Sequence, residues 1–456
     1  MKKIALFGGS FNPIGTHHIN IIKELVRDFD EVIVVLCGHR PDKATTNDIE
    51  PIHRAIMVDI ALRGLSSKVK VDYSDLIHDM FTRTHKLDKK YSKDGEVWHV
   101  VGMDLIYGGA RGESEIQASW QRGKELWCNL NFAVVEREGY KFSKDDLPPH
   151  AILIKPDHSG SSTEIRNNTF NHKSIDGLVT SEVKKYIEKY NLYRGVFPQP
   201  KAMMTIEDPG IKIVLNERDE KARNLRDNLK RLVDEDNPNL IVVIGGDGTM
   251  LRAIRKYWQL RLPFLGINTG HRGYLLNDGD VFTYKNFVVY QLPLLQVDTR
   301  SVDGRWRRDI GFADAWLERR EGQSAWIEVE MNNGKIKKLI GDGILVSTSA
   351  GSTGYARNIC KFSLPPYAHH LILAGMNIAE PVNWRDTIIS RDATIKLKNL
   401  DIKKRPLRGF VDGVLIGEVE RMNIKQSRIA AVELAFVPDL DIIEKHSRLN
   451  MPYLSS

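Results

Sequence analysis

Cysteine is scarce in this chain. Cys37, Cys128 and Cys360 stand far apart in 456 residues, and none belongs to a Cys-x-x-Cys pair. That spacing excludes a disulfide framework and a thiolate zinc site, and reduced thiols in a cytoplasmic setting are expected. Long apolar runs are also missing. No stretch approaches the roughly 18 residues that a spanning helix needs, so no membrane partner is expected. Met1-Lys2-Lys3 ahead of the apolar 4–7 has the charge of an export signal, but the run stops at Gly8-Gly9 and is too short for one. Blocks of like charge are missing as well. The formal charge of +7 is spread along the chain. No nucleic-acid arm is expected, and scattered basic residues suit small polyanions. No Ser-His-Asp or Cys-His pattern suggests a protein nucleophile.

What is present is globular. The hydrophobic fraction is 42% and the charged fraction 27%, and the length suffices for two or three cores. Apolar strands at 4–7, 32–36, 97–102, 132–135 and 152–154 alternate with helical patterns at 19–29, 52–62, 116–127 and 181–190. Such alternation predicts a parallel sheet covered on both faces. The pattern ends near Tyr193. Pro198, Pro200 and Pro209 then mark a linker over 196–209, dividing a domain at 1–195 from a second at 210–456. The second opens with strands at 211–215, 240–244 and 263–267 and a helix at 220–233. From 287 to 456, short runs such as 325–331, 344–348, 394–397 and 432–436 predict a mainly β-rich part after the α/β part at 210–286.

The stretch "ALFGGSFNPIGTHHINII" runs from a strand through two glycines into a helix. Glycines at a strand end let phosphates approach the backbone, and the helix amides behind them face the anion. His17 and His18 can add hydrogen bonds and charge. A plain β–α turn with two surface histidines is the simpler reading. Farther on, "HSGSSTEIRNN" sets Ser161, Ser162 and Thr163 ahead of a helix, with Arg166 three residues after Thr163. Hydroxyls, free amides and one guanidinium form a second anion grip, unless the run is only an N-cap.

Together these stretches resemble the nicotinate/nicotinamide mononucleotide adenylyltransferases over nearly the whole first part. The resemblance rests on Gly8, Gly9, Ser10, Phe11, Asn12 and Pro13, on His18, and on the 41–43 stretch with Arg54 and Met57. It rests further on Gly102 and Asp104, Trp120, and Ser161 through Arg166. It implies ATP and mononucleotide contacts from Gly8, Gly9, Ser10, Phe11, His17, Lys43, Gly102, Asp104, Trp120, Ser161, Ser162 and Thr163. His18 and Arg166 are the implied catalytic groups. One departure is visible: Gly15-Thr16-His17-His18 stands where relatives have His or Thr, any residue, Gly, His. The implied reaction is in-line attack of a mononucleotide phosphate on the α-phosphorus of ATP, with Mg2+ accompanying ATP. The substrate supplies the nucleophile, so catalysis is positioning and charge stabilisation.

In the second part, "LIVVIGGDGTMLRAI" leads a buried strand into Gly245-Gly246-Asp247-Gly248-Thr249 and then a helix. Three glycines clear the backbone around one acid. The spacing is neither the dinucleotide fingerprint nor a P-loop. A helix N-cap is the plainer role for Asp247. "GINTGHRGYLL", "GDGILVSTSAGSTGYA" and "GFVDGVLIG" follow, the last with Asp412 in a hairpin turn. In this order the set resembles NAD kinases across about 211–436. The resemblance implies a base role for Asp247. It implies NAD contacts from Gly245, Gly246, Gly248, Thr249, Asn268, Gly270, Gly273, Tyr274, Asp314, Asp342, Thr348, Ser352, Thr353 and Tyr355. Ala313 stands where relatives carry asparagine.

The expected architecture is therefore α/β. A Rossmann-like nucleotidyltransferase sheet comes first, then a NAD kinase-like α/β domain and a β-rich domain. The expected function is bifunctional: nicotinamide mononucleotide (NMN) and ATP give NAD, and NAD and ATP give NADP. ATP, NMN and NAD are the expected partners, in a homo-oligomer. Two alternatives stay open: nicotinate mononucleotide as first substrate, or one half acting as a non-catalytic NAD(P) sensor. Which residues would hold a metal is unknown from the sequence.

Overall fold

The computed structural model describes all residues except 41, 42, 137–142, 158, 159, 197, 272, 333 and 451–456. The chain forms two compact units, Met1–Pro198 and Gln199–Ser456. No helix among the described residues is long and apolar enough to cross a membrane.

The first unit begins with β1 (Lys3–Gly9), α1 (Thr16–Asp28), β2 (Glu31–Leu36), α2 (Pro51–Leu62) and β3 (Val69–Asp72). α3 (Ser74–His78), α4 (Thr84–Tyr91), β4 (Glu96–Gly102), α5 (Glu115–Ser119) and α6 (Gly123–Asn129) follow. β5 (Asn131–Val135), β6 (Ala151–Ile154), α7 (Ser162–Phe170) and α8 (Ser181–Lys189) complete it. Every residue of β2 is buried, as suits a parallel strand covered on both faces. The strand order is β3-β2-β1-β4-β5-β6, and all pairs are parallel. The order reverses at β1, so a crevice opens at the carboxyl ends of β1 and β4. The sequence reading lacks β3, a half-buried "VKVD" with no apolar run. The single helix expected at 116–127 is instead two. Arg122 turns the chain at φ 65°. Gly123 then lies so close to Ile116 that a Cβ would meet its carbonyl oxygen at 1.9 Å.

The second unit opens with β7 (Lys201–Thr205), β8 (Ile211–Leu215), α9 (Glu220–Leu229), β9 (Leu240–Gly245), α10 (Asp247–Tyr257) and β10 (Pro263–Asn268). Then come β11 (Asn286–Ser301), β12 (Trp306–Gly311), β13 (Asp314–Arg319), β14 (Ala325–Met331), β15 (Lys335–Gly341) and β16 (Gly343–Thr348). α11 (Tyr355–Cys360), β17 (His370–Met376), β18 (Thr387–Ser390), β19 (Ile395–Asn399), β20 (Leu407–Val411), β21 (Val414–Phe436) and α12 (Ile442–Asn450) end it. β8, β9 and β10 are parallel. The β-rich remainder pairs antiparallel through the long strands β11 and β21.

Two expectations need correction here. The stretch 196–209 is not all linker, because β7 adds antiparallel to β11. Its alternating exposure makes it an edge strand too short to register as a period. The α/β part also does not close at 286: the end of β21 returns to pair parallel with β10.

Candidate active sites

In the first unit the turn after β1 is held from several sides. Arg54, 1% exposed, donates to the carbonyls of Ser10 and Cys37, both at 2.9 Å. Asn12 is buried; its Oδ1 accepts from the Tyr193 hydroxyl at 2.7 Å and its Nδ2 donates to the Thr45 carbonyl at 2.5 Å. Arg166 donates to the Asn12 carbonyl at 2.7 Å and lies 3.5 Å from the Asp48 carboxylate. Ser162 donates to the Pro13 carbonyl at 2.8 Å. The turn and the start of α7 are thus one hydrogen-bonded body. The Gly15 amide donates to His18 Nδ1 at 3.1 Å. That bond fixes Nδ1 as the acceptor, so neutral His18 carries its proton on Nε2 and can donate from it. The His17 ring lies 3.9 Å from the His18 ring, centroid to centroid.

Two hollows border this turn. One, about 410 Å³, is lined by Gly8 and Gly9, by Arg40, Phe81 and Arg83, and by Trp120. A Cβ on Gly8 would meet nothing within 4 Å, so the backbone there faces open space. The other, about 210 Å³, is lined by Thr16 and His17 and by Gly160 and Ser161 ahead of α7. Ser161 also accepts from the Glu164 amide at 3.1 Å, so the cap reading holds for that hydroxyl. Thr163 accepts from Arg166 at 3.3 Å. Gly102 ends β4, and Asp104 lies in the turn that follows it. Neither Asp104 nor Lys43 is among the described residues lining the larger hollow. Lys43 is exposed, and Pro41 and Asp42 lie outside the described residues. Sequence reasoning missed Tyr193, Arg40, Phe81 and Arg83, which carry no local signature.

In the second unit Asp247 begins α10 at the carboxyl end of β9. Its Oδ2 accepts from the Tyr274 amide at 3.1 Å and its Oδ1 from the Leu275 amide at 2.8 Å. Burial raises its pKa, and the two amides and nearby Lys445 oppose that rise. Cβ atoms on Gly246 or Gly248 would meet nothing within 4 Å, so the backbone flanking Asp247 faces open space. Thr249 is buried and accepts from Arg252 at 3.1 Å. Asn268 Oδ1 accepts from the Gly270 amide at 3.0 Å, and its amide group donates to Asp278 at 2.7 Å. A Cβ on Gly273 would meet Asn268 Cγ at 2.7 Å. Met250, Tyr274, Leu275, Phe312, Ala313 and Ala350 share one core cluster. The Asp247 turn, the 273–276 loop and the start of β13 are therefore packed together.

Asp314 is buried and burial lifts its pKa to about 8, with the neighbouring Asp412 charge adding to the rise. Asp412 sits in the β20–β21 hairpin turn at φ 48°, as expected for Asp-Gly. Its carboxylate also accepts from the amides of Phe312, Ala313 and Asp314, the shortest contact being 2.7 Å to Ala313.

Not every expected contact residue faces open space. Thr348 donates to the Phe312 carbonyl at 2.8 Å and accepts from the Gly351 amide at 2.9 Å. Ser352, fully buried, donates to the Ser349 carbonyl at 2.6 Å and accepts from the Leu364 amide at 2.8 Å. Those two hydroxyls serve the turn itself. Thr353 reaches the Ala350 carbonyl at 3.5 Å. Tyr355 is 41% exposed, with its ring 5.1 Å from Trp316. Asp342 does not join the group. It precedes β16 at the end opposite Thr348, about 20 Å away at roughly 3.3 Å per residue. There it pairs with Arg319 at 2.7 Å and accepts from Asn377 at 2.7 Å.

The comparisons with known proteins also fall into two parts. A cytidylyltransferase-like family model matches residues 6–168, and an ATP-NAD kinase N-terminal domain model matches residues 181–279. An NAD kinase of Rickettsia bellii is 28% identical over 237 residues, 50% of this chain and 91% of that protein. An NAD kinase of Xylella fastidiosa (strain 9a5c) is 30% identical over 211 residues, 45% of this chain and 82% of that protein. A crystal structure of an NAD kinase from Archaeoglobus fulgidus in complex with ATP aligns with a TM-score of 0.42 at 19% identity, covering 53% of this chain and 98% of that one. With 82% of the Xylella protein covered at 30% identity, the chain belongs to the NAD kinase family through its second unit and carries a cytidylyltransferase-like domain ahead of it.

Proposed function

We propose that the chain joins two consecutive reactions of dinucleotide synthesis. The first unit transfers the adenylyl group of ATP to NMN. A phosphate oxygen of the mononucleotide attacks the α-phosphorus, the α–β bond breaks, and pyrophosphate leaves. The second unit transfers the γ-phosphoryl group of ATP to the adenosine 2′-hydroxyl of NAD, with ADP leaving and Asp247 taking the hydroxyl proton. Magnesium arrives on ATP as part of the substrate.

The observation that carries the kinase reading is the Asp247 carboxylate. Two backbone amides hold it in place at a glycine-cleared strand end. Each carboxylate oxygen keeps a further lone pair to accept a proton. The adenylyl-transfer reading is supported by the Gly8–His18 turn bordering both hollows, and by His18 Nε2 and Arg166 as donors to phosphate oxygens. A binding-only role for the first unit has one observation in its favour. His17 fills space that glycine leaves open in relatives, and its ring lies against His18. One experiment separates these readings. The protein is incubated with NMN, ATP and magnesium, and separately with NAD, ATP and magnesium, and the dinucleotides are identified. NAD followed by NADP in the first tube is expected. NADP from the second tube alone leaves the first unit as a binding domain.

A further inference from the structure

α12 lies beyond both matched family models, yet it reaches the Asp247 loop. Its Lys445 side chain is 8% exposed, and a buried ammonium needs acceptors to be tolerated. Lys445 donates to the Gly273 carbonyl at 2.9 Å and to the Leu276 carbonyl, and it lies 3.7 Å from the exposed Asp278 carboxylate. Between those two carbonyls are the Tyr274 and Leu275 amides that hold Asp247. One loop thus presents carbonyls to the lysine and amides to the aspartate. α12 itself is fixed at both ends. Asp441 accepts from the Ile443 and Glu444 amides at 2.9 and 3.1 Å, and from Tyr290 and Lys201 at 2.7 and 3.2 Å. Arg357 donates to the Leu449 carbonyl at 3.0 Å.

We propose that Lys445 is a positioning residue for phosphoryl transfer: its ammonium fixes the 273–276 loop whose amides aim the Asp247 carboxylate, and it sets a positive charge near that carboxylate. The inference rests on Asp247 being the base. The groups acting on Asp247 are the Tyr274 and Leu275 amides, Lys445 of α12 and Asp278; His446 of α12 meets the Tyr274 hydroxyl at 3.4 Å, with Arg357 of α11 acting on His446. Lys445 favours the carboxylate form, and burial and Asp278 oppose it.

The test uses the full chain with NAD and MgATP across a pH series. Lys445→Met is expected to lower kcat about tenfold or more while leaving the KM for NAD within about threefold. The acid limb of kcat should move up, because loss of a neighbouring cation favours the protonated carboxyl. Lys445→Arg keeps the charge and should hold the limb near its original place. An unmoved limb in a folded Lys445→Met variant overturns the proposal and reduces Lys445 to a structural residue. Undiminished turnover in Asp247→Asn is a separate result that removes the base reading instead. If Lys445→Met loses its thermal transition, Asp278→Asn at an exposed position reads the same electrostatics. Its limb should move down, and an unmoved limb overturns the proposal.

Discussion

In the proposed reactions Asp247 and Arg166 act in different ways. Asp247→Asn keeps the side chain's shape and one of the two amide contacts, since its Nδ2 cannot accept from the other amide, and it removes proton acceptance. General-base loss costs about 10²–10⁴-fold, so NADP formation from NAD should fall by that factor while the first unit's product formation continues. Because burial raises the Asp247 pKa, the acid limb of the parent's kinase profile should lie above the ordinary carboxylate range. Arg166 donates both to the Thr163 hydroxyl and to the Asn12 carbonyl. Removing a charge-assisted contact costs roughly 1.5–3 kcal/mol, so Arg166→Ala should slow NAD formation about 10- to 100-fold. NADP formation from added NAD should stay intact, and parallel loss of both would mark a folding defect. These two residues were legible because each sits inside a short pattern with a local reason for its residue types. Tyr193 and Lys445 were not. Lys445 meets Gly273 across 172 positions of sequence, and no period or spacing reports such a meeting.

Among the elements, the parallel strands of the first unit were readable from their apolar runs because a strand buried on both faces needs nothing else. β3 and β7 were not, since four or five residues, partly exposed, are too few to establish a period. The β20–β21 hairpin was readable as a turn at Asp412-Gly413, but not as a clamp. Its carboxylate gathers three amides at the start of β13 and adds to the burial that holds Asp314 protonated to about pH 8. An unfolded aspartate ionises near 3.9. The folded chain therefore binds a proton that the unfolded chain has released between about pH 4 and 8, and the stability present below that window is lost across it. Asp314→Asn removes the titration. Its Tm gain over the parent should be larger at pH 8 than at pH 5, measured by thermal unfolding of the second transition. A gain of the same size at both pH values would show that Asp314 does not titrate in that window.

At the scale of the whole chain, the question is why two nucleotide-handling units share one polypeptide. NAD kinase relatives match half of this chain or less and most of their own length, so the value of joining the first unit to the second depends on what the first makes. A tether raises the local concentration of one site's product near the other site. That helps only if the first product is directly the second substrate. NMN gives NAD, which carries the amide and is ready for phosphorylation. The nicotinate mononucleotide gives a product with a carboxylate, which needs an amidating step first, and neither unit has a fold assigned to that step. The opposing physical consideration is in the larger hollow, where Arg40 lies 4.5 Å from the Phe81 ring centroid and Arg83 5.5 Å. A guanidinium in that hollow attracts a carboxylate. The tether and the arginines thus point to opposite substrates, and a direct competition decides between them. With equal NMN and nicotinate mononucleotide, limiting ATP and magnesium, the amide dinucleotide is expected to dominate, and NADP should follow it without added NAD. A tenfold excess of the nicotinate product would end the coupled reading and assign Arg40 and Arg83 to carboxylate recognition, which Arg40→Met would then reverse.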